Sequence, residues 1–399
     1  MLNRLEGWFG DNGAMDAHPQ TPISLASLET PCLVLDAAIV EANVGRMRAR
    51  MERLGVTLRQ HVKTAKSIDV ARLAMSTPRG PITVSTLKEA DYFAGHGVTD
   101  ILYAVGIAPG KLDHVAALMA RGIDIGIVLD NVAAANMVAE KGRALGVRLA
   151  VLVEIDCDGH RAGVRPGDPM LLEIARALRE GGMEVRGVMT HAGESYNCRS
   201  TSEIFAMAEQ ERRAVVDAAN MLRADGHEVA VVSVGSTPTA TFAGNLDGVT
   251  EVRAGVFVFH DLVMAGLGVC RIKDIAASVL ATVIGHQPEK GWIVTDAGWM
   301  ALSRDRGTAK HAVDQGYGLV CDVSGAPLAD LIVVDANQEH GIVAHRAGGK
   351  VDLSRFPVGT MLRILPNHAC ATCAQHGAYR VVRDGGTTVE ANWERLSGW

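Results

Sequence analysis

Between Pro31 and Phe259 the sequence alternates repeatedly between two periodicities, and that alternation confines the chain to few folds. Short runs rich in Val, Ile and Leu are each followed by a stretch with helical spacing, the pattern of βα units around a parallel sheet. The apolar runs are CLVLD (32–36), TLRQHVK (57–63), ITVST (82–86), DILYAVG (100–106), DIGIVLD (124–130), LAVLVEID (149–156), VRGVMTHAG (185–193), VAVVSVGS (229–236) and VTEVRAGVFVF (249–259). The spacing predicts a helix over 37–54, where Ile39, Met47, Met51 and Leu54 share a face and Gly55 supplies the stop. Nine strands are one too many for an eight-stranded barrel, and the simplest resolution gives one terminal strand to a second domain.

After about Leu267 the helical periodicity fades. Short strands bounded by Gly, Asp and Pro take over, as in WIVTDAG, LIVVDAN, GIVAH, MLRIL and AYRVV. The expected fold class is therefore α/β: a (β/α)8 barrel over 56–266 and a β-rich domain over 267–399, with the segment and strand of 1–55 contributing to the β-rich domain. The 399 residues accommodate both, and 48% hydrophobic against 21% charged residues supplies a folded core.

Composition also excludes partners. Aromatic residues at 4%, a net charge of -6 and the absence of a Lys or Arg stripe argue against nucleic acid. The first twenty residues mix Glu6, Asp11 and Asp16 with short apolar pieces, unlike a signal or transit peptide, and no apolar run reaches about 18 residues. A cytoplasmic protein without membrane association is the expectation. Seven cysteines, scattered apart from Cys370 and Cys373, read as reduced thiols.

Active sites of such barrels lie at the C-terminal ends of the strands. That end carries Lys63, Arg161, His191, the turn Gly235-Ser236-Thr237, and Gly255. An amine, a cation and backbone N–H groups able to cradle a phosphate match a pyridoxal phosphate site. Individually each residue has a plainer reading: Lys63 competes with Lys66 one turn on, Arg161 could pair with Asp156 or Asp158, His191 could be a core histidine, and the turn could be an ordinary loop. Farther on, Pro366-Asn367-His368-Ala369-Cys370 precedes Cys373 and His376. In an extended segment His368 and Cys370 would point to one face and could hold Zn2+ with positions left open. The alternatives are a lone thiol, a C-x-x-C redox pair, or a structural site through Cys370, Cys373 and His376.

Arg59-Gln60-His61-Val62-Lys63-Thr64, the Asp-Gly-His-Arg-x-Gly run at 158–163, Gly235-Ser236-Thr237-Pro238-Thr239, Asp296-Ala297-Gly298, Glu339-His340-Gly341 and the Pro-Asn-His-Ala-Cys run carry a resemblance. From Thr30 to Trp399 the chain resembles the fold-type III pyridoxal phosphate family. Within it the chain resembles the metal-dependent branch of D-serine dehydratases, D-threo-3-hydroxyaspartate dehydratases and D-threonine aldolases. The resemblance implies an alanine-racemase-like barrel, a C-terminal β domain that borrows the first strand, and a homodimer. It implies Lys63 as the Schiff-base lysine, Arg161 at the cofactor's phenolic oxygen, His191 against the ring, and Tyr196 as partner of the pyridine nitrogen. Gly235, Ser236, Thr237 and Gly255 would take the phosphate, and His368 and Cys370 the metal. A thiolate ligand favours Zn2+ over Mn2+. Arg253 matches the position of an arginine in alanine racemases.

The chain departs from the family at Gln60, where proline is usual, and at Ala65, where histidine or serine is common. Cys370 stands where the aldolases tend to carry aspartate. The implied activity is dehydration of D-threo-3-hydroxyaspartate or D-serine to a 2-oxo acid and ammonia, ahead of retro-aldol cleavage or a non-catalytic pyridoxal phosphate carrier. Arg304, Arg306 and His340 are the candidates for binding a second substrate carboxylate.

Overall fold

A computed structural model describes residues 23–399. Strand β1 (Cys32–Asp36) leads into a helix over Ala37–Arg53, capped by Asp36, whose Oδ1 accepts the N–H groups of Ala38 and Ile39 at 3.0 and 3.3 Å. Val40, Val44, Met47 and Met51 form its buried face, Ile39 and Leu54 pack at its margin, and Gly55 at φ +69° ends it.

Eight parallel strands then close a barrel: β2 (Thr57–His61), β3 (Ile82–Val84), β4 (Asp100–Gly106), β5 (Asp124–Leu129), β6 (Ala150–Ile155), β7 (Glu184–Thr190), β8 (Val231–Val234) and β9 (Glu251–Ala254). They follow in chain order, and β9 closes on β2 with Glu251 opposite Thr57 and Ala254 opposite Gln60. The barrel interior is split by chemistry. Leu102, Val128, Leu152 and Met189 form an apolar cluster. Beside it Arg59 bonds Glu251 at 2.7 Å and Asp100 at 2.6 Å. Arg253, buried and two residues beyond Glu251, donates to Ser233 Oγ and to the Thr190 carbonyl.

Apart from the short pair Ile23–Ser24 and Thr388–Val389, the remaining strands are β10 (Ala277–Gln287), β11 (Trp292–Thr295), β12 (Leu319–Cys321), β13 (Pro327–Ala336), β14 (Gly341–His345), β15 (Met361–Leu365), β16 (Ala378–Val382) and β17 (Ala391–Glu394). Their sheet runs β11-β14-β13-β12-β15-β10-β1-β16-β17, and the far half of the long β10 returns to pair with β11. The surplus strand of the sequence, Cys32–Asp36, thus sits between β10 and β16, antiparallel to one and parallel to the other. The expected N-terminal stretch before residue 23 lies outside the described residues. Two of the quoted motifs meet inside this sheet and not at the cavity described below. A Cβ on Gly298 would lie 2.3 Å from the Asn337 carbonyl, and the N–H groups of Trp299 and Met300 bond the carbonyls of Asn337 and Gln338. Among the described residues no helix is long and apolar enough to cross a membrane.

Candidate active site

The C-terminal ends of the barrel strands open into a cavity of about 900 Å3. Lys63, Arg161, His191, Tyr196, Gly235, Ser236, Thr237 and Gly255 all line it, and so do His368 and Cys370 from the far end of the chain. The strand ends bring the first eight together. A loop stitched to the barrel brings the last two: the N–H groups of Leu262 and Val263 bond the carbonyls of Pro366 and Asn367.

The two candidate lysines separate cleanly. Lys66 Nζ lies 3.1 Å from Glu89 Oε1, with only 14% of its side chain exposed and none of the glutamate's. Lys63 lines the cavity and Lys66 does not. The turn between them is fastened from the β-rich side, where Tyr379 donates its hydroxyl to the Ala65 carbonyl at 2.6 Å and the Leu396 N–H bonds the Lys66 carbonyl at 2.8 Å.

His191 Nδ1 donates to the Gly235 carbonyl at 2.7 Å, which fixes the tautomer and leaves the Nε2 lone pair free. Burial pushes its pKa down to about 3, so the ring is neutral. His61 is pushed well below its ordinary value by burial and by the Lys63 charge, and its buried Nδ1 has no partner. Tyr196 packs 6.3 Å from His191, centroid to centroid. Burial raises its phenol, which stays protonated beside the Thr237 N–H. Its hydroxyl therefore sits at the glycine turn. Arg161 does not pair with Asp156 or Asp158; its nearest acid is Glu154, at 4.0 Å.

The glycine turn is more heavily engaged than its sequence suggests. Gly235 adopts φ +141°, and a Cβ there would fall 1.9 Å from the Arg253 carbonyl, so no other residue fits. Its N–H does not face the cavity as expected: it donates to Glu211 Oε1 at 3.1 Å, and the same oxygen accepts the Ala192 N–H at 2.9 Å. Gly235 is thus a shaping residue whose backbone donor is already used. Ser236 caps the helix Thr237–Phe242 and shares hydrogen bonds with Ser195 and Thr239. Thr237 Oγ1 accepts the Phe257 N–H at 3.2 Å. A Cβ on Gly255 would meet the His61 carbonyl at 2.9 Å and Thr64 Oγ1 at 3.2 Å, so glycine lets this backbone pack closely against the β2 turn.

His368 and Cys370 do not lie on an extended segment. His368 is the extended cap residue, and Cys370 lies in the first turn of the helix Ala369–Cys373. The Ala369 N–H donates to the buried Asp261 Oδ2 at 3.0 Å, which turns the chain at that point and forces the helix. The two side chains still converge. Burial opposes charge on both, yet Asp305 and Cys370 raise the His368 pKa, while His368 and then Lys63 hold the Cys370 thiol low. Thr64 Oγ1 lies 3.1 Å from Cys370 Sγ. Cys373 is a fully buried thiol raised to about 12 by burial, and His376 Nε2 bonds the Ala301 carbonyl at 3.0 Å, so neither joins the pair. Among the described residues no three His, Cys, Asp or Glu side chains converge as metal ligands.

Two further residues escaped the sequence reading. Asp305 Oδ2 accepts His368 Nδ1–H at 2.6 Å, the arrangement that orients a ligating imidazole. Glu211 is an acid on the buried face of the helix Thr201–Ala224, in register with Ile204, Ala208 and Val215, and that misplaced charge was its only signal.

A closed parallel barrel joined to a β-rich sheet is the architecture of alanine racemases. Residues 35–262 match the "Alanine racemase, N-terminal domain" model, and residues 276–382 match the "Putative serine dehydratase domain" model. An alanine racemase of Clostridium difficile shares the fold at TM-score 0.67 and 15% identity, covering 92% of this chain and 100% of that one. The chain is 53% identical to D-threo-3-hydroxyaspartate dehydratase of Delftia sp. (strain HT23), over 94% of this chain and 99% of that protein. The solved Delftia dehydratase superposes with TM-score 0.92, covering 94% of this chain and all of that one. D-serine dehydratase of Dictyostelium discoideum is 30% identical over 92% of this chain and 96% of its own. D-threonine aldolase of Filomicrobium marinum superposes at 0.80 with 26% identity, over 94% and 96% of the two chains. The chain belongs to the family of D-threo-3-hydroxyaspartate and D-serine dehydratases.

Proposed function

We propose that the protein is a lyase, a D-3-hydroxy amino acid dehydratase using pyridoxal 5'-phosphate and Zn2+, which converts D-threo-3-hydroxyaspartate to oxaloacetate and D-serine to pyruvate, with release of ammonia. The observation that carries this reading is the convergence of Lys63 with the His368 and Cys370 pair on one cavity, in a chain of this family. The residues fit both groups. The cavity holds a lysine with no hydrogen-bond or ion-pair partner among the described residues, and it is lined by Ser236, Thr237 and Gly255. The imidazole and thiol beside it are a donor set suited to Zn2+. A cysteine-to-alanine variant of D-threo-3-hydroxyaspartate dehydratase has been solved in a metal-free form.

When bound, pyridoxal phosphate supplies a carbonyl for the substrate amine and a ring that accepts the electron pair left at Cα, and Zn2+ supplies a Lewis acid for the departing β-hydroxyl. Lys63 would hold the cofactor through Nζ, and the same amine is the group that would take the Cα proton. The Arg161 guanidinium offers a cation to the phenolic oxygen. His191, held neutral, lies against the ring without adding charge. Ser236, Thr237 and Gly255 receive the phosphate. Cys370 Sγ and His368 Nε2 would be the metal ligands, with the hydroxyl of Thr64 against the sulfur and Asp305 fixing the imidazole. The proton lost from Cα and the hydroxyl lost from Cβ make up one water, and hydrolysis of the resulting enamine, through its imine tautomer, consumes one water and liberates ammonia.

The reading extends, on the family resemblance, to a homodimer in the cytoplasm. Purified protein supplied with cofactor and zinc is expected to release ammonia from D-serine and to stop when a chelator removes the metal. Full turnover without metal would contradict the role given to His368 and Cys370. The likeness to a D-threonine aldolase supports one rival, tested by acetaldehyde formation from D-threonine.

A further inference from the structure

The second carboxylate of a 3-hydroxyaspartate needs a cation, and the cavity shows where one is available. In such a substrate the β-carbon bears both the hydroxyl and the second carboxylate. A hydroxyl directed at His368 and Cys370 therefore carries that carboxylate to the same wall. That wall is the loop 305–311, because Asp305 bonds His368 and Thr308 Oγ1 donates to Asn367 Oδ1 at 2.5 Å, next to the metal-binding pair.

The cations near that wall can be eliminated in turn. Arg304 stacks on Trp299 at 4.3 Å and does not line the cavity, and neither does His340. Arg253 is buried in the barrel wall and spends its guanidinium on Ser233 and Thr190. Arg161, on the loop after β6, lines the cavity with Glu154 at 4.0 Å and is the cation assigned to the cofactor's phenolic oxygen. Arg306 does line the cavity, but its guanidinium is bonded to Asp314 at 2.7 Å and lies over the Tyr317 ring at 5.2 Å. Lys310 also lines the cavity, and among the described residues its ammonium has no hydrogen-bond or ion-pair partner. The short turn Gly307–Lys310 holds it there, closed by the His311 N–H on the Thr308 carbonyl at 2.9 Å.

We infer that Lys310 is the specificity residue for the second carboxylate, the contact that sets the turnover of dicarboxylic 3-hydroxy amino acids relative to that of D-serine. This inference rests on the dehydratase reading and adds the residue that recognises the second carboxylate.

The test compares kcat/KM for D-threo-3-hydroxyaspartate and for D-serine in the holoenzyme and in its Lys310→Met and Lys310→Arg variants. A charge-assisted hydrogen bond lost from a partly enclosed site lowers the ratio of the two constants by about 10- to 100-fold in Lys310→Met, and Lys310→Arg recovers most of it. A second readout is inhibition of D-serine turnover by D-malate, a dicarboxylate without the amine, which weakens in Lys310→Met. An unchanged ratio, or an equal loss with both substrates, overturns the assignment. A selective loss in Arg306→Met in place of Lys310→Met overturns it as well. If the wild type releases ammonia from neither substrate, the dehydratase reading itself fails and the subsite falls with it.

Discussion

Replacing Asp305 by alanine removes the 2.6 Å hydrogen bond to His368 Nδ1, together with the carboxylate's bond to the Gly307 N–H, and leaves both proposed metal ligands in place. A carboxylate in that position typically contributes 10- to 100-fold in metal affinity, or about 1.4–2.7 kcal/mol. The side chains of Asp305 and His368 are 37% and 42% exposed, so solvent screening places the effect near the lower bound. The expected result is a zinc Kd raised about tenfold, read by competition with a chromophoric chelator. Turnover should fall at limiting zinc and return when zinc is in excess. Asp305→Asn, which keeps an acceptor but not the charge, should lie between wild type and Asp305→Ala. An unchanged zinc affinity in Asp305→Ala, or a loss of activity that excess zinc does not restore, would refute the role given to this contact.

The two lysines of the β2 turn should respond in opposite ways. Lys63→Ala should cost at least about 100-fold in kcat and abolish the visible absorbance of lysine-bound pyridoxal phosphate. Lys66→Met should keep that absorbance but lose about 3 kcal/mol of stability to urea, because Glu89 is left buried without a counter-charge, with the Ser85 N–H still bonded to its Oε2. Acid stability offers a further check at His260, which is buried at φ +49° and whose pKa burial pushes down to about 4. The unfolded chain takes up a proton near pH 6.5 that the folded chain refuses until about pH 4. Stability therefore falls as pH drops through that window, by about 3 kcal/mol for this one group. His260→Asn, which tolerates the positive φ, should flatten the acid limb of urea unfolding between pH 7 and 4.5, and an unchanged slope would refute the assignment.

The barrel was legible because each βα unit declares itself twice, in a β-branched strand and in the helical spacing that follows. The excess of one strand even pointed to a second sheet. The family resemblance pointed to Lys63, but the residues alone left Lys66 as a competitor, because what occupies Lys66 is Glu89, a buried acid more than twenty residues away. The His-x-Cys geometry misled for a related reason: an extended segment and a capped helical turn both bring residues i and i+2 near one another, and the Asp261 carboxylate that selects the turn is distant in sequence. Gly235 was found by its motif, yet Glu211 takes the N–H that the motif seemed to offer. Local periodicity reports on elements, whereas the satisfaction of buried polar groups is settled between elements and leaves little trace in either one.

The central claim is the fate of the Cα–Cβ bond. Incubation of the zinc-loaded holoenzyme with D-threo-3-hydroxyaspartate, with all products quantified, tests it most directly. Dehydration predicts oxaloacetate and ammonia in equal amounts, with the carbon skeleton intact. Glycine and glyoxylate in their place would show that the same lysine and metal pair cleaves the skeleton, and would contradict the account.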